Sequence, residues 1–95
     1  MVIEYGRTFT FNTAGKTLTV LGSLEVNGGG AISFGAAATL EIKGVYFKNG
    51  SFTAGTGTVK MSSAGAQAIL TSETTFNNLI IDNTGLLLFV SITVN

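Results

Sequence analysis

The chain has 95 residues with no Cys, His, Pro or Trp, and its five acidic side chains balance five basic ones. Without Cys there are no disulfides, thiolate metal sites or cysteine nucleophiles, and without His the commonest general base is missing. Zero net charge offers no basic footprint for nucleic acid, while 45% hydrophobic against 11% charged residues argues against disorder. The length suits one small domain, 1–95. Thirteen Gly, fourteen Thr, seven Ser and seven Asn make it rich in turn-forming and hydroxylated residues. The opening MVIEYGRTFTFN lacks the basic-then-apolar pattern of a secretory signal. The longest nearly apolar run, 86–94, is far below the roughly 20 residues of a membrane-spanning helix.

From the N-terminus onward, apolar residues two apart recur in short segments bounded by Gly, Asn or Ser. They are Phe9/Phe11, Leu18/Val20, Leu24/Val26, Ile32/Phe34, Leu40/Ile42, Val45/Phe47, Val59/Met61, Leu79/Ile81, Leu87/Phe89 and Ile92/Val94. Period-two alternation predicts strands with these pairs inward and the intervening residue outward. The one helix-like window, GAAATLE at 35–41, is too short to stand alone. The chain reads as all-β.

The segments also repeat. TLTVLG at 17–22 returns as TLEIKG at 39–44, then more loosely as TVKM, NLII and SITV at 58, 78 and 91. A second run precedes each of these, at Thr8, Ala31, Ser51, Ala68 and Leu86, and a third follows the first two, as GSLEVNG at 22–28 and GVYFKNG at 44–50. A period of about 20 residues made of short strands predicts a parallel β-solenoid of about four to five turns. Like residues then stack in columns: Leu18, Leu40, Val59, Leu79, Ile92; Val20, Ile42, Met61, Ile81, Val94; and Phe9, Ile32, Phe52, Ile69, Leu87. Glycines at the corners are expected to supply positive φ. An antiparallel β-sandwich is the alternative architecture that short alternating strands allow.

The segments TLTVLGSLEVNGGG, TFNNLIIDNTG and SITVN resemble the parallel β-helix repeats of bacterial surface adhesins and autotransporter passengers. The resemblance covers most of the chain from Thr8 onward and implies a secreted structural or adhesive role, extracellular or at the cell surface. A solenoid exposes unpaired backbone groups at both ends, and no covering helix or proline is evident here. With 2–6 assigned to the third run and 91–94 to the first, the two ends are complementary. Residues 1–6 and 86–95 are therefore candidate end-pairing segments, with Val2, Ile3, Tyr5, Leu87, Phe89, Ile92 and Val94 as the end-to-end contact. Such a contact is heterologous and builds a filament of copies of the chain. A segment cut from a longer surface β-helix protein gives the same phasing. Outward positions carry Thr10, Ser33, Thr53, Leu70, Leu88 in one column and Thr19, Glu41, Lys60, Ile80, Thr93 in another. Leu70, Ile80 and Leu88 thereby become candidates for a lateral interface, although a one-residue slip in LLLFV would turn Leu88 inward.

Little in the sequence points to chemistry. Glu4 and Glu25 share a column in this phasing, but both alternate towards solvent, where a glycosidase pair would not have its pKa values separated. NGGG at 27–30 lacks the Lys-Ser/Thr and helix of a phosphate loop, and calcium-binding nonapeptides are absent. No catalytic residue, metal site or cofactor is expected. The expected function is a non-enzymatic structural subunit or segment of an extracellular filament, fibre or adhesin. The remaining binding alternative is a ladder of hydroxyls (Thr17, Thr39, Thr58, Asn78, Ser91) facing ice or a surface glycan.

Overall fold

The computed structural model describes residues 1–34, 36–85 and 87–94, with backbone alone for 72–73 and 89–93. Every regular element among them is a strand. The strands are β1 (Val2–Ile3), β2 (Thr8–Phe11), β3 (Thr17–Val20), β4 (Leu24–Val26), β5 (Ala31–Phe34), β6 (Thr39–Ile42), β7 (Tyr46–Lys48), β8 (Ser51–Thr53), β9 (Thr58–Ser63), β10 (Gln67–Phe76), β11 (Asn78–Asn83) and β12 (Leu87–Val94). They form three sheets, ordered β1-β4-β7-β10-β12, β2-β5-β8 and β3-β6-β9-β11. All the pairings are parallel. Successive passes of the chain visit the sheets in the same order, so the molecule is a three-faced parallel β-solenoid of about four turns and the antiparallel sandwich is excluded.

Parallel pairing in register places like residues over one another. On the third sheet the stacks Leu18–Leu40–Val59–Leu79 and Val20–Ile42–Met61–Ile81 run as the repeat predicts. On the second, Phe9–Ile32–Phe52 do likewise. Leu24, Val26, Ile32, Leu40, Ile42, Val59, Met61 and Ile69 are buried, each contributing about 1.5–3 kcal/mol by leaving water. An aromatic series threads the core from turn to turn. Phe11 meets Phe34 at 6.1 Å, Phe34 meets Phe52 at 5.8 Å and Phe52 meets Phe76 at 5.3 Å between ring centroids.

The structure corrects the expected inward pattern at three places. Ile69 and Leu87 do not continue the Phe9 stack: Ile69 pairs with Tyr46 and Phe89, and Leu87 with Gln67, all on the first sheet. Ile92 and Val94 leave the third sheet in the same way, pairing with Thr74 and Phe76. The cause is that β10 and β12 are long strands that pass the first corner without a turn, with a register irregularity between Leu70 and Thr74. The third correction concerns β7, where Tyr46 and Lys48 point inward and Val45 and Phe47 do not. Its register with Leu24 and Val26 overrides the local preference for Val and Phe. Lys48 is thereby only 4% exposed, stacked between Val26 and Thr71.

Corner glycines answer to two different needs. Positive φ occurs at Gly6, Gly15, Gly29 and Gly55. Gly44 instead lies against the preceding turn, where a Cβ would sit 2.6 Å from the Gly22 carbonyl carbon and oxygen. Its amide donates to that oxygen at 2.9 Å. Gly22, one turn earlier, has open space at the same position. Gly44→Ala should therefore destabilise the fold by about 1–3 kcal/mol, whereas Gly22→Ala should change it by less than about 0.5 kcal/mol, as read from urea midpoints.

The Tyr46 hydroxyl is buried with no hydrogen-bond partner among the described residues, and burial raises its pKa far above the usual phenolic range. Removing that oxygen leaves the ring contacts with Phe52 and Phe76 in place. Tyr46→Phe should raise stability by roughly 1 kcal/mol in the same titration; a loss of stability would mean that the hydroxyl has a partner.

Candidate functional site

Two regions collect the residues singled out by the sequence: the open ends of the ladder and the outer face of the third sheet. At the N-terminal end, β1, β2 and β3 each have one paired neighbour. Val2 is exposed there, but Ile3 is already buried, in register with Val26. Tyr5 is 82% exposed, with its ring laid over Gly29, where a Cβ would meet Tyr5 Cδ2. Phe9, Phe11 and Leu18 are half-buried against the core. A hollow of about 380 Å³ opens beside this edge, lined by Met1, Ile3, Glu4, Arg7 and Phe9 among others.

At the other end, β11 pairs with β9 and β12 with β10, leaving their far edges open. Ile81 is 46% and Val94 49% exposed, while Leu87 is half-buried. Leu87, Phe89, Ile92 and Val94 thus lie on one strand of the end, although the side chains of Phe89 and Ile92 fall outside the described residues. Leu88 is 59% exposed, so the LLLFV run keeps Leu87 in and Leu88 out. Leu70 and Leu88 share the outer face of the first sheet, and Ile80 lies on the third, so the three form no single patch. Leu70 follows Phe47 rather than Thr53, and Thr93 follows Thr75 rather than Ile80, for the reason given above.

The outer face of the third sheet carries a network that the repeat only partly revealed. Thr19, Glu41, Lys60 and Ile80 stack as expected. Glu41 accepts hydrogen bonds from Ser62 Oγ at 2.6 Å and Thr19 Oγ1 at 3.1 Å. Lys43 and Lys60 both approach it at 3.8 Å, and Lys60 reaches Asp82 at the same distance. The repeat does not mark Ser62, because its contact with Glu41 runs diagonally between neighbouring strands and does not join like positions of a stack. Beside the network the hydroxyl column holds as Thr17–Thr39–Thr58–Asn78, with Asn78 Nδ2 donating to Thr58 Oγ1 at 3.1 Å. Ser91 is absent from it, because β12 lies on the first sheet. Glu4 and Glu25 are not register partners: Val2 is beside Glu25, and Glu4 follows β1 in the turn towards β2. Among the described residues no group of three His, Asp or Glu could hold a metal ion.

Comparison with protein-family models, curated proteins and solved structures finds no match to the chain.

The Ser62 hydrogen bond, with help from Thr19, Lys43 and Lys60, holds the Glu41 carboxyl below its ordinary pKa despite an opposing effect of burial. A depressed carboxylate pKa stabilises the fold above the unfolded-state value and loses that contribution as pH falls through the folded-state value. Glu41→Gln should cost roughly 1 kcal/mol near pH 7, and the gap to the parent protein should close in urea titrations below about pH 4. A gap independent of pH would assign the effect to packing.

Proposed function

We propose that the chain is a non-enzymatic structural unit that joins other solenoid turns end to end through its open strand edges, as part of an extracellular filament, fibre or adhesin. The observation that carries this reading is the contrast between middle and end turns of the same stacks. Ile42 and Met61 are fully buried, while Ile81, next in their column, is 46% exposed. Leu40 and Val59 are likewise buried, while Leu18 and Leu79 at the two ends are half-covered. Each end thus offers both an unpaired backbone ladder and an uncovered section of core, which together favour addition of a parallel strand.

The extracellular placement rests on the Cys-free, Thr- and Asn-rich composition and on the resemblance to surface β-helix repeats. The partners are copies of the chain; the same edges suit further turns of a longer surface β-helix protein. The hydroxyl column is a weaker basis for ice or glycan binding. Its neighbouring column holds a charge network in which Glu41, Lys60 and Asp82 already pair, and Thr is a favoured residue on any exposed strand face.

Purified chain should form unbranched filaments in negative-stain microscopy as its concentration rises. Ile81→Lys, a change at a half-exposed end position, should abolish them while leaving the β-sheet circular dichroism intact. Dispersed particles for the unmodified chain at all concentrations would end the self-assembly reading and leave the longer-protein reading.

A further inference from the structure

The number of strand positions on each face constrains how two copies can meet. The first sheet has five strands and the third has four. The second has three, β2, β5 and β8, and is continued by the C-terminal halves of β10 and β12. Phe76 of β10 packs on Phe52 of β8 at 5.3 Å, and Thr74–Phe76 pair in register with Ile92–Val94. The three faces thus hold five, five and four positions, fourteen in all. The chain winds from first to second to third sheet, so the position that follows β12 lies over β11.

We infer that a second copy seats on this end rotated by one third of a turn about the solenoid axis, its β1 on β11, its β2 on the first half of β12 and its β3 on the second half. This rests on the self-assembly reading above and specifies its geometry. Without rotation, β1 of the incoming copy would cover β12, and one position would stay empty between β11 and the incoming β3. Those two strands would then lie about 10 Å apart instead of about 4.8 Å, with their backbone groups unpaired. The rotated copy closes all three edges.

Side-chain spacing agrees with the rotated joint. Ile3 and Phe9, the inward residues of β1 and β2, are separated by the same number of residues as Ile81 and Leu87, the inward residues of β11 and β12. Setting Ile3 on Ile81 therefore brings Phe9 onto Leu87. Leu18 and Val20 then have the alternation needed to continue the registers of Thr74–Ile92 and Phe76–Val94. Charge supports a head-to-tail partner of the same kind. All five cations occur at or before Lys60, whereas the residues after it carry Glu73 and Asp82 and no cation. The first turn carries Arg7 and Lys16 against Glu4. Opposite ends are therefore oppositely biased, which favours heterologous over like-end contact. One like-charge contact arises, Glu4 beside Asp82, with Arg7 in the same turn as Glu4.

Two measurements test the joint. Because the chain has no native cysteine, engineered pairs report contacts between copies without background. Val2→Cys with Ile80→Cys should give disulfide-linked ladders on a non-reducing gel after oxidation of the assembled protein. Val2→Cys with Val90→Cys, which continues the unrotated register Val2–Glu25–Phe47–Leu70–Val90, should not. Helical reconstruction of the filament should give a rise of about 22 Å per subunit with a rotation of one third of a turn. Ladders from the Val90 pair instead, or a rise of about 24 Å without rotation, would overturn the rotated joint while leaving end-to-end assembly in place. Absence of any filament or ladder would overturn both.

Discussion

The backbone ladder between turns is the constraint on which the rest of this protein depends. A parallel strand pair about 4.8 Å apart leaves no freedom in where a side chain sits relative to its neighbour one turn away. The choice made at Leu18 is therefore made again at Leu40, Val59 and Leu79. The same spacing explains why Gly44 can carry no side chain, since its missing Cβ would occupy the backbone of Gly22. It also explains how a buried lysine arises in β7, because register with Leu24 and Val26 leaves Lys48 no outward option.

A ladder of this kind is closed along its length and open at its ends, and that asymmetry sets its chemistry. In the middle turns Leu40, Ile42, Val59 and Met61 are buried, while Leu18, Leu79 and Ile81 of the same stacks, at the two ends, are partly uncovered. The polar outer face is largely self-satisfied: Glu41 is held by Ser62, Thr19 and two lysines. At the corner before β10, the buried Gln67 amide donates to the carbonyls of Ile42 and Gly44 at 2.9 Å. The polar groups of the Glu41 network are engaged with one another, whereas the outer edges of β11 and β12 have no strand beside them among the described residues.

Much of the fold was legible in the sequence, because a parallel solenoid writes its register directly into a repeat. TLTV, TLEI and TVKM carry the same alternation in the same phase, and the third sheet follows them strand for strand. Legibility failed where punctuation failed. Period-two alternation looks the same on every face, so assigning a strand to a sheet depends on the Gly and Asn residues that mark corners. In QAILTSETTF, 67–76, no such residue intervenes, although the chain passes from the first face to the second. One face drops out of the count there and again along β12, so Ile69, Leu87, Ile92 and Val94 fall on other sheets than the repeat suggests, while Leu79 and Ile81 keep their places. The open ends are legible in the sequence, but the corner without punctuation changes the tally of positions to fourteen, and with it the proposed joint between copies.

Register is also what an experiment can reach most directly. In a proton nuclear Overhauser spectrum of the dispersed protein, parallel stacking predicts methyl contacts linking Leu18 to Leu40, Leu40 to Val59 and Val59 to Leu79, together with amide-to-α contacts between the same strands. Strong α-to-α contacts between neighbouring strands, which arise where Cα atoms approach to about 4.5 Å in antiparallel pairs, would contradict the account at its foundation.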